Sequence, residues 1–253
     1  MKKMIAHRID GKRRSLLMSC ASLAIATAAL HSSRAEAQAF QGTPTLAPGS
    51  GSVGFDRLTP GQETITIGGP TATIDWAPSD TDGAGTINFL PSGNTVTFTS
   101  GLGGYTVLNR VVPTDPTRQI GLNGKIQSFI NDGAATGGNI WFYSPGGIVV
   151  GATATFDVGG LLLTSLAPTL DFTSSSGSFV AGDTAPGNIE IQQGAKINAL
   201  EQGSYVALFG PKIIQAGDVR VNGSAAYVAA NSLTMNINQG LFDITVDVGT
   251  RRK

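Results

Sequence analysis

The residue types that perform most protein chemistry are nearly absent from this sequence. The 253-residue chain has one cysteine, Cys20, and two histidines, His7 and His31, all close to its N-terminus. Thiolate nucleophiles, histidine-based triads and zinc sites built from cysteine and histidine all need these side chains. If the N-terminal segment is removed, these chemistries are lost, and we predict no catalytic residue, no metal site and no cofactor.

Two pairs, each of one aspartate and one arginine, are the remaining candidates for catalysis. Asp56 precedes Arg57, and Asp115 lies close to Arg118. Carboxylates are the groups with which most glycosidases act, but no clustered carboxylates accompany these pairs. A polysaccharide-active enzyme is therefore the weakest alternative. The segment at 80–83 resembles the start of a calcium loop without the later ligands, and a solvated turn is the favoured interpretation.

The first 39 residues have the organisation of a secretory signal peptide. Basic residues fill the segment before position 15, an apolar stretch runs from Leu16 to Leu30, and overlapping Ala-x-Ala sites follow at 35–37 and 37–39. We place the cut after Ala39, with Ala37 as the alternative. Removal leaves ten basic and fifteen acidic residues, without cysteine or histidine. Disulfides are then excluded, and an acidic chain is not expected to bind nucleic acid.

The composition of the remaining chain favours strands over helices. Glycine accounts for 34 residues, and glycine or proline interrupts almost every window long enough for an average helix of ~11 residues. The longest uninterrupted stretch, 224–239, alternates apolar and polar side chains at Leu233, Met235 and Ile237, which is the period of a strand. Short strand-forming runs separated by turn residues continue along the chain. The sequence therefore predicts an all-β protein.

An internal repeat favours a β-solenoid over a sandwich or barrel. A shift of 22 residues places Ile197 on Val219 and Tyr205 on Tyr227. In a parallel β-helix, coils ~4.8 Å apart stack like side chains into ladders. We predict that Tyr205 and Tyr227 form such a structural ladder. The alternative is a chance match in a chain rich in glycine, alanine and valine.

Six motifs in a fixed order connect the sequence with a known family. They are Thr73 to Trp76, Val107 to Val111, Ile120 to Ile126, Gly138 to Gly151, Ala154 to Leu161 and Gly203 to Pro211. Together they resemble the two-partner-secretion (TPS) domain of filamentous-haemagglutinin-like exoproteins. The resemblance implies a right-handed parallel β-helix with short extra-helical strands and an N-terminal cap. It divides the chain into a signal peptide (1–39), a leader and N-terminal cap (40–62), a TPS-like β-helix domain (63–248) and a basic tail (249–253).

The sequence departs from the family at its most recognisable turn. Where the family has N-P-N-G, this chain has Ser144, Pro145, Gly146 and Gly147. Proline fixes φ and glycine permits positive φ, so a tight turn is expected to persist without the two asparagine side chains. The resemblance implies that this turn contributes to transporter recognition, although contacts made by the family's asparagines would be lost.

Two further stretches have both a structural and a functional interpretation. The resemblance adds Asn109 and Arg110 to the recognition residues. From the residues themselves, Asn109 is favoured as a strand-end asparagine that closes a corner, and Arg110 is either a surface residue or part of a docking surface. Of Trp141, Phe142 and Tyr143, at least one must face away from the coil interior. Such an aromatic is either covered by other strands or a handle for a partner.

The resemblance implies a secreted exoprotein. Family members cross the inner membrane by the Sec machinery and are then recognised by an outer-membrane TPS-type β-barrel transporter through its periplasmic POTRA domains. An adhesin-like or haemagglutinin-like role follows for the exoprotein, at the cell surface or in the medium, with an unidentified host or surface glycan or protein as ligand. The alternative is a non-catalytic surface β-solenoid without a dedicated transporter. Family exoproteins usually continue well beyond this domain, so the chain is expected to be either a natural short protein or a truncated one.

Overall fold

The computed structural model describes residues 38–80, 83–171, 176–238 and 241–246. Three sequence predictions lie wholly or partly outside these residues: the signal peptide up to Ala37, the middle of the calcium-like segment, and the basic tail. Within the described ranges, no helix has the length and apolar character needed to cross a membrane.

The described residues form strands joined by turns. In chain order the strands are β1 (Gly42–Leu46), β2 (Val53–Asp56), β3 (Gln62–Ile67), β4 (Thr71–Pro78), β5 (Ile87–Leu90), β6 (Thr95–Thr99), β7 (Thr106–Val111), β8 (Ile120–Leu122), β9 (Lys125–Ile130), β10 (Ala135–Thr136), β11 (Asn139–Tyr143), β12 (Ile148–Val150), β13 (Thr155–Asp157), β14 (Gly160–Thr164), β15 (Ala167–Asp171), β16 (Ser176–Val180), β17 (Ile189–Ile191), β18 (Lys196–Gly210), β19 (Ile213–Gln215), β20 (Asp218–Ala229), β21 (Ser232–Asn238) and β22 (Leu241–Val246).

Parallel pairing stacks these strands into three faces of a β-helix. Face 1 consists of β4, β7, β11, β14 and the second halves of β18 and β20. Face 2 consists of β5, β8, β12, β17 and β19. Face 3 consists of β3, β6, β9, β13 and the first halves of β18 and β20. The predicted all-β, parallel β-helix fold is confirmed.

The interior of the coils is filled by the inward side chains of all three faces. On face 3, Val96, Ile126, Phe156 and Ile197 follow one another across paired strands, and each is fully buried. Their neighbours along each strand point outward, as the two-residue period of a strand requires. Burial of one such side chain contributes about 1.5–3 kcal/mol.

Antiparallel strands cover the N-terminal edges of faces 1 and 3. β1 pairs with β4 on face 1, and β2 pairs with β3 on face 3. Both therefore occupy edges that another chain could otherwise extend. The segment 40–62, predicted as a leader and cap, contains both strands.

A separate antiparallel sheet lies outside the coils. It has the order β15-β16-β21-β22, and Phe179, Leu233 and Met235 from it are buried in a second apolar cluster. That cluster also contains the outward-facing Leu108 and Trp141 of face 1. The alternation at Leu233 and Met235 therefore belongs to a strand, β21, and the apolar face of that strand covers the outside of the coils.

The predicted Tyr205–Tyr227 ladder is wrong. Ile197 pairs with Val219, as the 22-residue shift predicts, but the register changes after Ala199. Tyr205 then lies beside Ser224, and Tyr227 lies beside Leu208. The cause is a bulge at residues 200–203, which ends in Gly203 with φ of 75°. The four residues 200–203 on β18 lie opposite the single residue Asn222 on β20, so the register shifts by three residues.

The alternation of inward and outward side chains can be tested on two adjacent residues of β13. Phe156 is fully buried, whereas Thr155 points outward and is half-buried. We expect Phe156→Ala to lower the free energy of unfolding by about 3–5 kcal/mol and Thr155→Ala to change it by less than about 0.5 kcal/mol. Urea denaturation of both variants measures the difference. Equal losses would contradict this assignment of the interior.

Candidate functional site

Asn109 is buried inside the coils and links three of them. It lies within β7, not at a strand end, and its side chain is fully buried. Its Oδ1 accepts a hydrogen bond from Trp76 Nε1 (3.1 Å), and its Nδ2 donates to the Trp141 carbonyl oxygen (3.2 Å). Trp76, Asn109 and Trp141 belong to the consecutive strands β4, β7 and β11. The contacts favour the structural interpretation of Asn109, because both polar ends of its amide are satisfied by the fold.

Arg110 points to the opposite side of the same strand. Its Nε lies 2.5 Å from Asp75 Oδ1 and its Nη2 lies 2.7 Å from Oδ2, which makes the pair bidentate. The two side chains are 38% and 41% exposed. An ion pair with this exposure contributes at most about 1 kcal/mol to stability. Its main effect is to hold the guanidinium in one orientation at the surface.

Residues 144–147 form a tight turn between β11 and β12. The Gly147 amide donates to the Ser144 carbonyl oxygen (3.0 Å) across Pro145. Gly147 has φ of 99°, whereas Gly146 is not in the positive-φ region. The turn therefore persists as predicted, but only one of its glycines is required for backbone conformation.

The other glycine, Gly146, is required for close approach between coil corners. A Cβ on Gly146 would clash with the carbonyl group of Arg118, and one on Gly187 would clash with the carbonyl group of Gly146. The Gly187 amide donates to the Pro145 carbonyl oxygen (2.8 Å). An asparagine at position 146, as in the family motif, does not fit this arrangement unless the backbone near Arg118 moves.

The structure brings the predicted recognition residues together but buries most of them. Arg110 pairs in register with Tyr143, which immediately precedes the turn. Asn109 and all four turn residues are buried, and Ser144 has no exposed surface. Arg110 alone among the predicted recognition residues presents a side chain to solvent in the folded domain.

Comparison with known proteins identifies the family. A family model described as the TPS secretion domain matches residues 88–249, which is more than half of the chain. The chain belongs to the TPS secretion domain family. Among solved structures, the crystal structure of the HMW1 secretion domain from Haemophilus influenzae is similar, with a TM-score of 0.61 and 20% sequence identity. The match covers 81% of this chain and 48% of that chain, so this chain spans about half the length of that structure. A search of curated proteins found no match.

The three consecutive aromatic residues of this TPS domain are divided between its two cores. Phe142 is fully buried inside the coils, whereas Trp141 and Tyr143 face outward into the second cluster. Trp141 Nε1 donates to the Tyr205 hydroxyl at 2.6 Å, and the Tyr205 ring packs edge-on against Phe242 (5.3 Å). Burial raises the pKa of Tyr205 above its usual value. Trp141 is therefore covered by the extra-helical sheet, and it is not an exposed handle for a partner.

The acidic and basic pairs considered for catalysis are occupied in ion pairs and turns of the TPS domain. Arg57 pairs with the buried Glu63 (2.6 Å), and Arg118 pairs with Asp80 and donates to the Gly85 carbonyl oxygen. Asp115 accepts hydrogen bonds from the Thr117 amide and hydroxyl, which lower its pKa. Secretion domains of this family are generally non-catalytic. Each arginine thus forms its ion pair with a carboxylate other than the one that the sequence places near it.

The partners of the recognition motif were not predicted. The opposite charges at Asp75 and Arg110 are a signal that could have been found, because each directly precedes a buried apolar residue of its strand, Trp76 and Val111. The role of Gly187 and Arg118 at the turn had no such signal, since contact between corners depends on how the coils stack.

Restoring the family's residue at the turn is expected to destabilise this protein. Gly146→Asn places a side chain against the Arg118 backbone, and overpacking of this kind costs about 1–3 kcal/mol. The matched control is Gly182→Asn, because a Cβ at Gly182 meets nothing within 4 Å, and a change below about 0.5 kcal/mol is expected there. Urea titrations of the two variants and of the wild type give the free energies of unfolding to be compared. A Gly146→Asn protein as stable as wild type would show that the corner is not closely packed.

Proposed function

We propose that this TPS domain is the element by which an outer-membrane β-barrel transporter takes up the chain in the periplasm. The match of residues 88–249 to the TPS secretion domain carries the proposal. The chain would reach the periplasm through the Sec machinery, directed by its signal peptide, and the POTRA domains of the transporter would bind it there. The product would be released into the medium or kept at the cell surface.

The burial of the motif supports recognition before the β-helix closes. Asn109 and residues 144–147 are buried once the coils have stacked, so we expect a transporter to contact their side chains in an unfolded or partly folded chain. Short segments that form strands can pair with the exposed sheet edge of another domain. In this proposal the same backbone groups first pair with the POTRA domains and later with neighbouring coils.

Folding outside the cell would then favour export over return. The stacked coils bury apolar side chains from all three faces, and this burial is unavailable while the chain threads through a barrel. The mature sequence has no cysteine, so no disulfide can join two coils in the oxidising periplasm before transport. Both properties suit a chain that is exported unfolded.

An adhesin-like role is proposed for the exoprotein as a whole. It follows from the family, and no described residue identifies a host or surface ligand. The alternative, a surface solenoid with no dedicated transporter, predicts the same fold but a different dependence on the transporter. Secretion measurements therefore distinguish the two.

Secretion is expected to require a transporter and to depend on Arg110. We expect the tagged chain to appear in the medium of a diderm host only when the TPS-type barrel encoded nearest its gene is co-expressed. Arg110→Ala should reduce that secretion several-fold while leaving stability nearly unchanged, because its ion pair is exposed. Arg220→Ala is the matched control, since Arg220 forms a similar exposed pair with Asp218 (2.8 Å). Retention in the periplasm with and without the barrel would contradict the proposal.

A disulfide between coils is expected to block export. Thr97 and Gln127 are register partners on β6 and β9, and Gln127 Nε2 donates to Thr97 Oγ1 (2.9 Å). Neighbouring strands are ~4.8 Å apart, which suits the Cα separation of a disulfide. We expect the Thr97→Cys, Gln127→Cys double variant to accumulate in the periplasm and to be secreted again when reductant is added. The two single variants are the controls. Normal secretion of the oxidised double variant would exclude threading as an unfolded chain.

A further inference from the structure

Residues 38–41 close the N-terminal opening of the β-helix. Ala39 and Phe40 are both fully buried. The Phe40 ring stacks on Phe89 at 4.7 Å and contacts Trp76 edge-on at 5.1 Å. Phe142, from the second coil above, approaches the same ring at 5.9 Å. This segment, which we name the N-terminal plug, therefore completes the inner core.

The first two residues of the plug are held by polar contacts of their own. The Ala39 carbonyl oxygen accepts a hydrogen bond from Asn94 Nδ2 (3.0 Å), and the Gln38 carbonyl oxygen accepts one from Gln41 Nε2 (2.8 Å). In the amide orientation that satisfies both of its polar atoms, the Gln38 side chain donates to the Gly42 carbonyl oxygen (2.9 Å) and accepts from Arg57 Nη1 (3.1 Å). Removal of Gln38 and Ala39 would abolish all of these bonds and leave a cavity where Ala39 packs.

A buried charge also bears on where the mature chain begins. The Phe40 amide donates to Oε2 of Glu63 (3.1 Å), whose side chain is fully buried. Arg57 already neutralises this carboxylate through Oε1 at 2.6 Å. If Phe40 were the first residue, its amide would become an ammonium group and add a second positive charge beside one buried carboxylate, which is unfavourable. An ammonium group on the half-buried Gln38 can instead be hydrated.

We infer that signal peptidase cuts this chain between Ala37 and Gln38, and that the released end folds into the tube as the N-terminal plug. Both Ala-x-Ala sites satisfy the sequence requirement for cleavage. The fold distinguishes them, because a cut after Ala39 removes two residues that the mature domain uses, whereas a cut after Ala37 keeps every plug contact.

Mass spectrometry of the exported wild-type protein tests the inference. The N-terminal tryptic peptide is expected to run from Gln38 to Arg57, because no lysine or arginine lies between them. A peptide that begins at Phe40 would overturn the inference. Export by the Sec machinery into the periplasm is sufficient for this measurement, so the result does not depend on whether a transporter recognises the domain.

Two substitutions give reciprocal outcomes for the two cleavage sites. Ala35→Leu removes the small residue at the third position before the proposed cut and leaves the 37–39 site intact. We expect it to shift the cut to Ala39 or to leave unprocessed precursor. Processing of both the wild type and this variant to an N-terminus at Phe40, in equal yield, would refute the inference. Ala39→Leu spoils only the other site, so processing at Gln38 should continue. Accumulation of the Ala39→Leu precursor would likewise contradict it.

The folded domain provides a second readout. Protein cut after Ala39 in the Ala35→Leu variant lacks the first two plug residues, and we expect its Tm to fall by at least about 2 °C relative to wild type. An unchanged Tm would show that these residues do not contribute to the closed end of the tube.

Discussion

Each coil of this protein has to keep its backbone within hydrogen-bonding distance of the next, and this requirement governs the corners as strictly as the strands. Along the faces, side chains alternate inward and outward and leave the backbone free to pair. At a corner the chain turns, and a Cβ can point directly at the neighbouring coil. Gly146 and Gly187 lie where corners meet, and a side chain on either would occupy the space of the adjacent backbone. Packing alone therefore requires glycine at the corner between β11 and β12, apart from any role of this turn in recognition.

The same requirement explains where the chain departs from regular coils. Extra residues cannot be accommodated inside the tube, so they leave it as the hairpin β15–β16 and the pair β21–β22, which combine into one antiparallel sheet. That sheet covers the outside of face 1. This cover explains why the outward-facing positions of face 1 hold the apolar residues Leu108, Trp141 and Leu162. The domain has two cores separated by a single layer of strands, and Phe142 and Trp141, adjacent in sequence, belong to different ones.

Much of this architecture could be predicted from the sequence because it depends on local period. The alternation at Leu233 and Met235 identified a strand, and the shift that aligned Ile197 with Val219 gave the true register of face 3. The same shift failed at Tyr205, because the bulge at 200–203 changes the register without changing the similarity of the residues that follow. The strands that cover the outward aromatic residues, the burial of Glu63 beside Arg57 and the contact of Gly146 with Arg118 could not be predicted. Each depends on elements distant in sequence, and nothing in the local pattern marks it.

The chain's departure from the family motif follows from the packing of its corner. Glycine at position 146 allows the backbone near Arg118 to approach, and Gly187 approaches from the other side. Direct contact between the backbones of adjacent coils thus occupies the space that a side chain at position 146 would need. A transporter that meets the chain before it folds would encounter backbone, Pro145 and the charge of Arg110 at this point, and none of these requires a side chain at position 146. After folding, the backbone of the turn is buried and Arg110 is held by Asp75. The surface available for recognition therefore diminishes as the coils close, which gives the proposed order of binding first and folding second a physical basis.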